Sequence, residues 1–253
     1  MTLTYITTPI GDKVISALFQ RLNKTEIQET KTYLILSTPR VGSNLLCQSL
    51  ENTEVLGSPS EWFNPLFVRE IQTRLGHKQL DFKKYTNTIK KGSKSSNGVF
   101  GIKVHIEHYT HWIKNGFDIL DIGFDAHYYI ERKDKIAQAY SLAKAKKTNF
   151  WTKAETPIGA PPAPPIKPVD VAFQLLNICS QTDTFETKIA RRINRRFDFN
   201  ELILDDAKTA TLQILSDLNI KIPTNKIIQS NVERQSGSKR GDHITRIKKY
   251  FNG

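Results

Sequence analysis

The chain has 253 residues, enough for one α/β domain with a sizeable buried core. Charged residues make up 25% and apolar ones 38%, and no run approaches the roughly 18 to 20 apolar residues that cross a bilayer, so no membrane span is expected. The formal charge of +12 favours anionic partners such as nucleotides, nucleic acids or membrane surfaces, without choosing among them. Two cysteines, Cys47 and Cys179, are too few for a disulfide framework, and no Cys/His cluster has zinc-ligand spacing, so no metal is expected. The N-terminal stretch lacks the charged start, apolar middle and small-residue cleavage site of a secretory signal, which makes a cytoplasmic location the default.

Residues 13–22 place Val14, Ile15, Leu18, Phe19 and Leu22 at helical spacing. This predicts a short amphipathic helix, within an N-terminal extension of about residues 1–31, docking on the domain or on a second subunit; a homodimer is allowed. Tyr33-Leu34-Ile35-Leu36 is a compact apolar run typical of a buried parallel strand, ended by the turn signal Ser37-Thr38-Pro39 and followed by a helix over about 43–50. Residues 90–98 read as a polar loop before a strand over 99–106. A further strand is predicted at 127–131, leading into a helix over about 133–147. Residues 156–168 hold six prolines and read as a surface loop or lid. Helical periodicity then covers 169–196, a strand is expected over 197–204, a helix over 207–218, and a basic tail follows Pro223. Alternating strands and helices predict an α/β fold, with a mostly parallel central sheet flanked by helices, over residues 1–253 as a single domain.

The most informative segment is YLILSTPRVGSNLLCQSL, residues 33–50, where a strand runs through a Pro/Gly turn into a helix. Such a corner aims backbone N–H groups and the positive helix end at one point, where an anion binds. Gly42 permits close backbone approach, Ser43 and Asn44 are candidate helix caps and oxygen donors, and Arg40 offers a fork of donors. The Walker pattern GxxxxGK[ST] is absent, because no Gly-Lys pair precedes Ser43; this weighs against a nucleotide-dependent kinase.

This corner resembles the phosphosulfate-binding loop of PAPS-dependent sulfotransferases (PAPS is 3′-phosphoadenosine-5′-phosphosulfate). It is most similar to the bacterial family of trehalose 2-sulfotransferase, whose Arg-x-Gly-Ser-x-Leu-Leu loop is matched by Arg40, Gly42, Ser43, Leu45 and Leu46. Residues 131–151 (ERKDKIAQAYSLAKAKKTNFW) resemble the segment with which that family binds the donor's 3′-phosphate. The resemblance places Arg132 at a strand end and Ser141 on a helix, both facing that phosphate. It implies a P-loop-NTPase-like sulfotransferase fold, PAPS as donor with PAP as product, and no required metal. Donor contacts would come from Arg40, Val41, Gly42, Ser43, Asn44, Leu45, Arg132 and Ser141. Residues 200–220 are similar to the family's Tyr-Glu-Asp-Leu strand end, with Glu201 at the Glu position and Asn200 in place of Tyr. Residues 233–241 (ERQSGSKRG) resemble its nucleotide-closing loop, adding Arg234, Lys239 and Arg240, or else form a plain basic tail.

Two candidate bases follow. Gly57-Ser58-Pro59-Ser60-Glu61-Trp62-Phe63 matches the family's Gly-x-Pro-x-Glu-Phe-Phe, which makes Glu61 the first choice, helped by desolvation beside Trp62 and Phe63. Lys103 and His105, two apart at a strand end, project from one face and resemble the Lys-x-His element of eukaryotic-type sulfotransferases. His105 is then the base and Lys103 contacts the transferring group, with Arg40 stabilising the leaving phosphate. Trp62, Phe63, Tyr109, Trp112 and Trp151 either frame the acceptor or belong to the core. The reading is sulfuryl transfer to a hydroxyl, or to an amino or guanidino nitrogen, of a small molecule or glycan. The rivals are a kinase and a basic nucleic-acid-binding protein, although no nucleic-acid-binding signature is present.

Overall fold

The computed structural model describes residues 9–23, 27–151, 164–221, 244–245 and 247–249. Four strands, β1 (Lys31–Ser37), β2 (Val99–His105), β3 (Ala126–Glu131) and β4 (Arg195–Asp198), form a parallel sheet in the order β2-β1-β3-β4. The fold is α/β, as the strand-helix alternation predicts. Around the sheet lie α1 (Pro9–Leu22), α2 (Ser43–Asn52), α3 (Pro65–Arg74), α4 (Phe82–Ser93), α5 (Ile106–Lys114), α6 (Lys135–Thr148), α7 (Pro168–Lys188), α8 (Phe199–Leu204) and α9 (Lys208–Asp217).

The middles of the central strands are mostly apolar because both faces of the sheet are covered. Leu34, Leu36, Phe100, Ile102, Val104 and Tyr129 point to one side, where α1, α3, α4 and α5 supply Ile15, Leu18, Val68, Ile71, Tyr85, Ile89 and Ile106. Tyr33, Ile35, Tyr128 and Ile130 point to the other, against Leu45, Leu46 and Leu50 of α2 and Ile214 and Leu215 of α9. A smaller cluster joins α6 to α7 through Ala139, Leu142, Val171 and Ile178, with Ile247 packed on it. Helix α1 thus turns its apolar face into this chain's own core.

Three local expectations are corrected. Residues 90–93 belong to α4 rather than to a loop: Asp81 accepts from the Lys84 amide at 3.0 Å, and Phe82, Tyr85 and Ile89 continue a buried helical stripe. The strand predicted over 197–204 stops at Asp198, whose side chain accepts from the Asn200 amide at 2.7 Å and starts α8. The strand over 99–106 ends at His105, and Ile106 opens α5. Residues 156–163 of the proline-rich stretch, and Arg234, Lys239 and Arg240, lie outside the described residues. No described helix is long and apolar enough to cross a membrane.

One glycine in β2 is dictated by packing across the sheet. A Cβ on Gly101 would stand 2.1 Å from Cζ of Tyr33, which is fully buried and donates from its hydroxyl to the Leu56 carbonyl at 2.8 Å. Gly101→Ala must therefore displace that ring; overpacking of this kind costs about 1–3 kcal/mol, and the lost hydrogen bond adds about 1 more. The expected outcome is a Tm lower by several degrees in a thermal melt, and an unchanged melt would show that the ring moves freely.

Candidate active site

The register between β1 and β2 sets Ser37 beside His105 and Ile35 beside Lys103. Strands β1 and β2 therefore deliver their last polar residues to one place, the carboxyl end of the sheet, where ligands collect in open α/β folds. From Ser37 the chain turns through Thr38 and Pro39 and reaches α2 by way of two left-handed residues, Arg40 at φ 66° and Gly42 at φ 79°. A left-handed conformation costs a non-glycine residue about 1–2 kcal/mol, so the fold holds Arg40 there against its preference. Gly42 is the helix cap residue and no side chain caps α2, which corrects the expectation for Ser43 and Asn44. Ser43 is instead buried as the first helical residue, and Asn44 accepts a hydrogen bond from the Lys103 ammonium. Val41 and Leu45 are buried in the core behind the corner.

The second motif arrives at the same corner. Arg132, just past β3, donates from Nη1 to the Arg40 carbonyl at 3.2 Å. Ser141, on α6, accepts from Arg40 Nε at 3.0 Å. Arg40 Nη1 donates to the Trp151 carbonyl at 2.6 Å. Gln138, fully buried one turn before Ser141, donates to Thr38 Oγ1 at 2.8 Å and to the Pro39 carbonyl at 2.6 Å, binding α6 to the turn.

The two candidate bases prove to be neighbours. Lys103 Nζ lies 2.7 Å and His105 Nε2 3.2 Å from Glu61 Oε1. Asn64 Nδ2 donates to Glu61 Oε2 at 3.0 Å, and Ser37 Oγ shares a 3.0 Å hydrogen bond with His105 Nδ1. The Lys103 side chain is only 3% exposed, whereas that of Glu61 is 22% exposed, so solvent reaches the cluster through the carboxylate. Burial pushes the Glu61 carboxyl up, but Lys103 and His105 outweigh it and hold Glu61 well below the usual carboxylate range. His108 on α5 lies with its ring 5.6 Å from that of His105, and burial pushes it down to about 3, which keeps it neutral.

The loop that carries Glu61 is fixed from behind. Ser60 accepts from the Lys103 amide at 3.0 Å, Trp62 from the Tyr85 hydroxyl, and Phe63 from Trp112 Nε1 at 2.6 Å, all through their backbone carbonyls. Trp62, Phe63, Tyr109 and Trp112 are core residues, so of the five aromatic candidates only Trp151 is partly open at this end. Two shallow hollows of about 330 and 420 Å³ lie around Lys31 at the opposite end of the sheet and contain none of these groups.

Sequence reasoning missed several of the side chains involved. Asn64 and His108 carry no motif of their own; Ser37, read only as part of a turn signal, becomes visible as a partner of His105 once the β1–β2 register is known. After β4, Asn200 and Glu201 are exposed, and Phe199 is the residue that faces Arg132.

The sequence model described as Stf0 sulphotransferase matches residues 32–250. No curated protein matches the chain. Among solved structures, a sulfotransferase from Alicyclobacillus acidocaldarius is 9% identical, over 86% of this chain and 90% of that one, with a TM-score of 0.45. The sulfotransferase domain of the Synechococcus PCC 7002 olefin synthase is 13% identical, over 91% of this chain and 98% of that one, with a TM-score of 0.42. Because the family match runs from β1 past the last described helix and takes in both motif segments and the Glu61 loop, the chain belongs to the Stf0 sulphotransferase family.

Proposed function

We propose that this sulfotransferase moves a sulfuryl group from PAPS to a hydroxyl, or to an amino or guanidino nitrogen, of a small molecule or glycan, with Glu61 as the general base. The observation that carries this reading is the joining of the two motifs: Arg40 donates to Ser141 at 3.0 Å, and Arg132 donates to the Arg40 carbonyl at 3.2 Å. That places two guanidinium groups and the start of α2 around one point, with the base cluster reached through Asn44 and Lys103. Such a set fits a ligand with anionic groups at both ends of a nucleotide, and PAPS supplies the sulfuryl group together with a phosphate leaving group.

The chemistry then follows from residue roles. Arg132 and Ser141 hold the ribose 3′-phosphate, while Arg40 and the amides of residues 42–44 hold the 5′-phosphosulfate. The acceptor atom attacks sulfur in line with the breaking S–O bond, the bonding pair leaves with the phosphate oxygen, and the acceptor proton passes to Glu61. Arg40 and the α2 amides stabilise the charge that develops on the leaving phosphate. Sulfuryl transfer shares the loose transition state of phosphoryl transfer, so the acceptor proton becomes acidic late and a weak, fully ionised carboxylate suffices.

Occupancy favours Glu61 over His105 as base. Both ring nitrogens of His105 are engaged, Nδ1 by Ser37 and Nε2 by Glu61, whereas Glu61 Oε2 receives only the Asn64 bond among those described. His105 and Lys103 thus orient Glu61 and keep it charged.

Three measurements test this reading. PAP should raise the melting temperature and ATP with magnesium should not; the reverse pattern would favour a kinase. Arg132→Ala or Ser141→Ala should raise KM for PAPS more than they lower kcat. Glu61→Gln should lower kcat by about 10²- to 10⁴-fold while PAP still binds. If His105→Asn costs more than Glu61→Gln, the base is His105.

A pH series tests the electrostatics separately. A carboxyl whose folded pKa is depressed contributes stability that is fully present above its unfolded value, about 4.3, and is lost as pH falls through the folded value. Glu61→Gln should therefore melt lower than the native chain at neutral pH, and the gap should close progressively below about pH 4.3. A gap that stays constant down to acid pH would show that the Lys103–Glu61 pair does not carry the charge assigned to it.

A further inference from the structure

Arg132 is held on two sides. Its Nη1 is tied to the Arg40 carbonyl, and its Cζ lies 4.1 Å from the centre of the Phe199 ring. The same ring backs the anion-binding corner: a Cβ on Gly42 would meet Phe199 Cδ2 at 3.3 Å and Cε2 at 3.6 Å. The register explains how one side chain reaches both. Glu131 of β3 stands beside Asp198 of β4, so Arg132 and Phe199 leave adjacent strands at the same level. Asp198 then caps α8 and fixes the direction in which Phe199 departs. Arg132 is only 8% exposed, so its charge meets the face of the ring with little water between them.

A flat aromatic face and an aliphatic side chain of similar volume differ here in one respect. Both fill the space between Gly42 and Arg132, but only the ring offers a negative face that keeps a guanidinium parallel to it. We propose that Phe199 is a positioning residue of the donor site, holding the Arg132 guanidinium in one plane and bracing the Gly42 corner so that the two phosphate-binding elements keep a fixed separation. This inference rests on the PAPS reading above. It assigns Phe199 no contact with the reacting atoms; the residue acts through Arg132.

The test is PAP titration by calorimetry, with KM and kcat for PAPS, on the native chain, Phe199→Leu, Phe199→Tyr, Arg132→Gln and the Phe199→Leu/Arg132→Gln double variant. Phe199→Leu should weaken PAP binding about 3- to 30-fold and raise KM for PAPS more than it lowers kcat, and Phe199→Tyr should restore most of the affinity. In the Arg132→Gln background the leucine change should cost less than about twofold, because the cation it serves is gone. Native-like PAP binding by Phe199→Leu overturns the inference and leaves the PAPS reading intact. So does a full penalty in the Arg132→Gln background, which would reveal packing alone. Should Phe199→Leu fail to fold, Phe199→Met in the same cycle gives the same decision. Absence of PAP binding by the native chain would overturn the PAPS reading and this inference together.

Discussion

Lys103 is the constraint around which the carboxyl end of the sheet is arranged. An ammonium that is 3% exposed has lost nearly all its water, and the effective cost of such burial is several kcal/mol unless good partners replace the solvent. Its partners come from two different parts of the chain, Glu61 in the loop before α3 and Asn44 in the first turn of α2. The Lys103 amide also binds the Ser60 carbonyl, so one residue secures both the backbone and the side chain of the acid loop. Once β2 places this lysine, the acid loop and the anion corner are brought to it, because either one alone leaves a buried cation short of partners.

The frame that achieves this was largely legible in the sequence. Tyr33 to Leu36 announces a strand buried on both faces, and the Pro39 to Gly42 turn announces the corner at its end. Arg132 and Ser141 were recognisable as a pair by resemblance, and the structure does bring them to Arg40. Glu61 and His105 looked like competing candidates because they come from separate motifs. The folded structure shows instead that they share a hydrogen bond, with Lys103 between the acid loop and the corner.

What escaped the sequence did so for identifiable reasons. Helix α4 is apolar on a narrow stripe, and its lysine-rich end imitates a loop. Asp198 sits inside what reads as one strand, and its capping bond turns the chain into α8, which brings Phe199 next to Arg132. The aromatic residues near Glu61 gave no sign of which way they face; most of them turn inward and support the loop that bears the acid. The hydrogen bond between Ser37 and His105 depends on a contact between segments far apart in the chain, which no local pattern encodes.

The loop around Glu61 has little freedom to change. Its carbonyls at 56, 60, 62 and 63 are each gripped by a donor from a different element, namely Tyr33 of β1, Lys103 of β2, Tyr85 of α4 and Trp112 of α5. Lengthening or reshaping this segment would break several of these grips at once, leaving buried carbonyls without donors. Diversification toward new acceptors therefore has to proceed elsewhere on the rim of the sheet, with the acid kept as the stationary reference against which any new wall is measured.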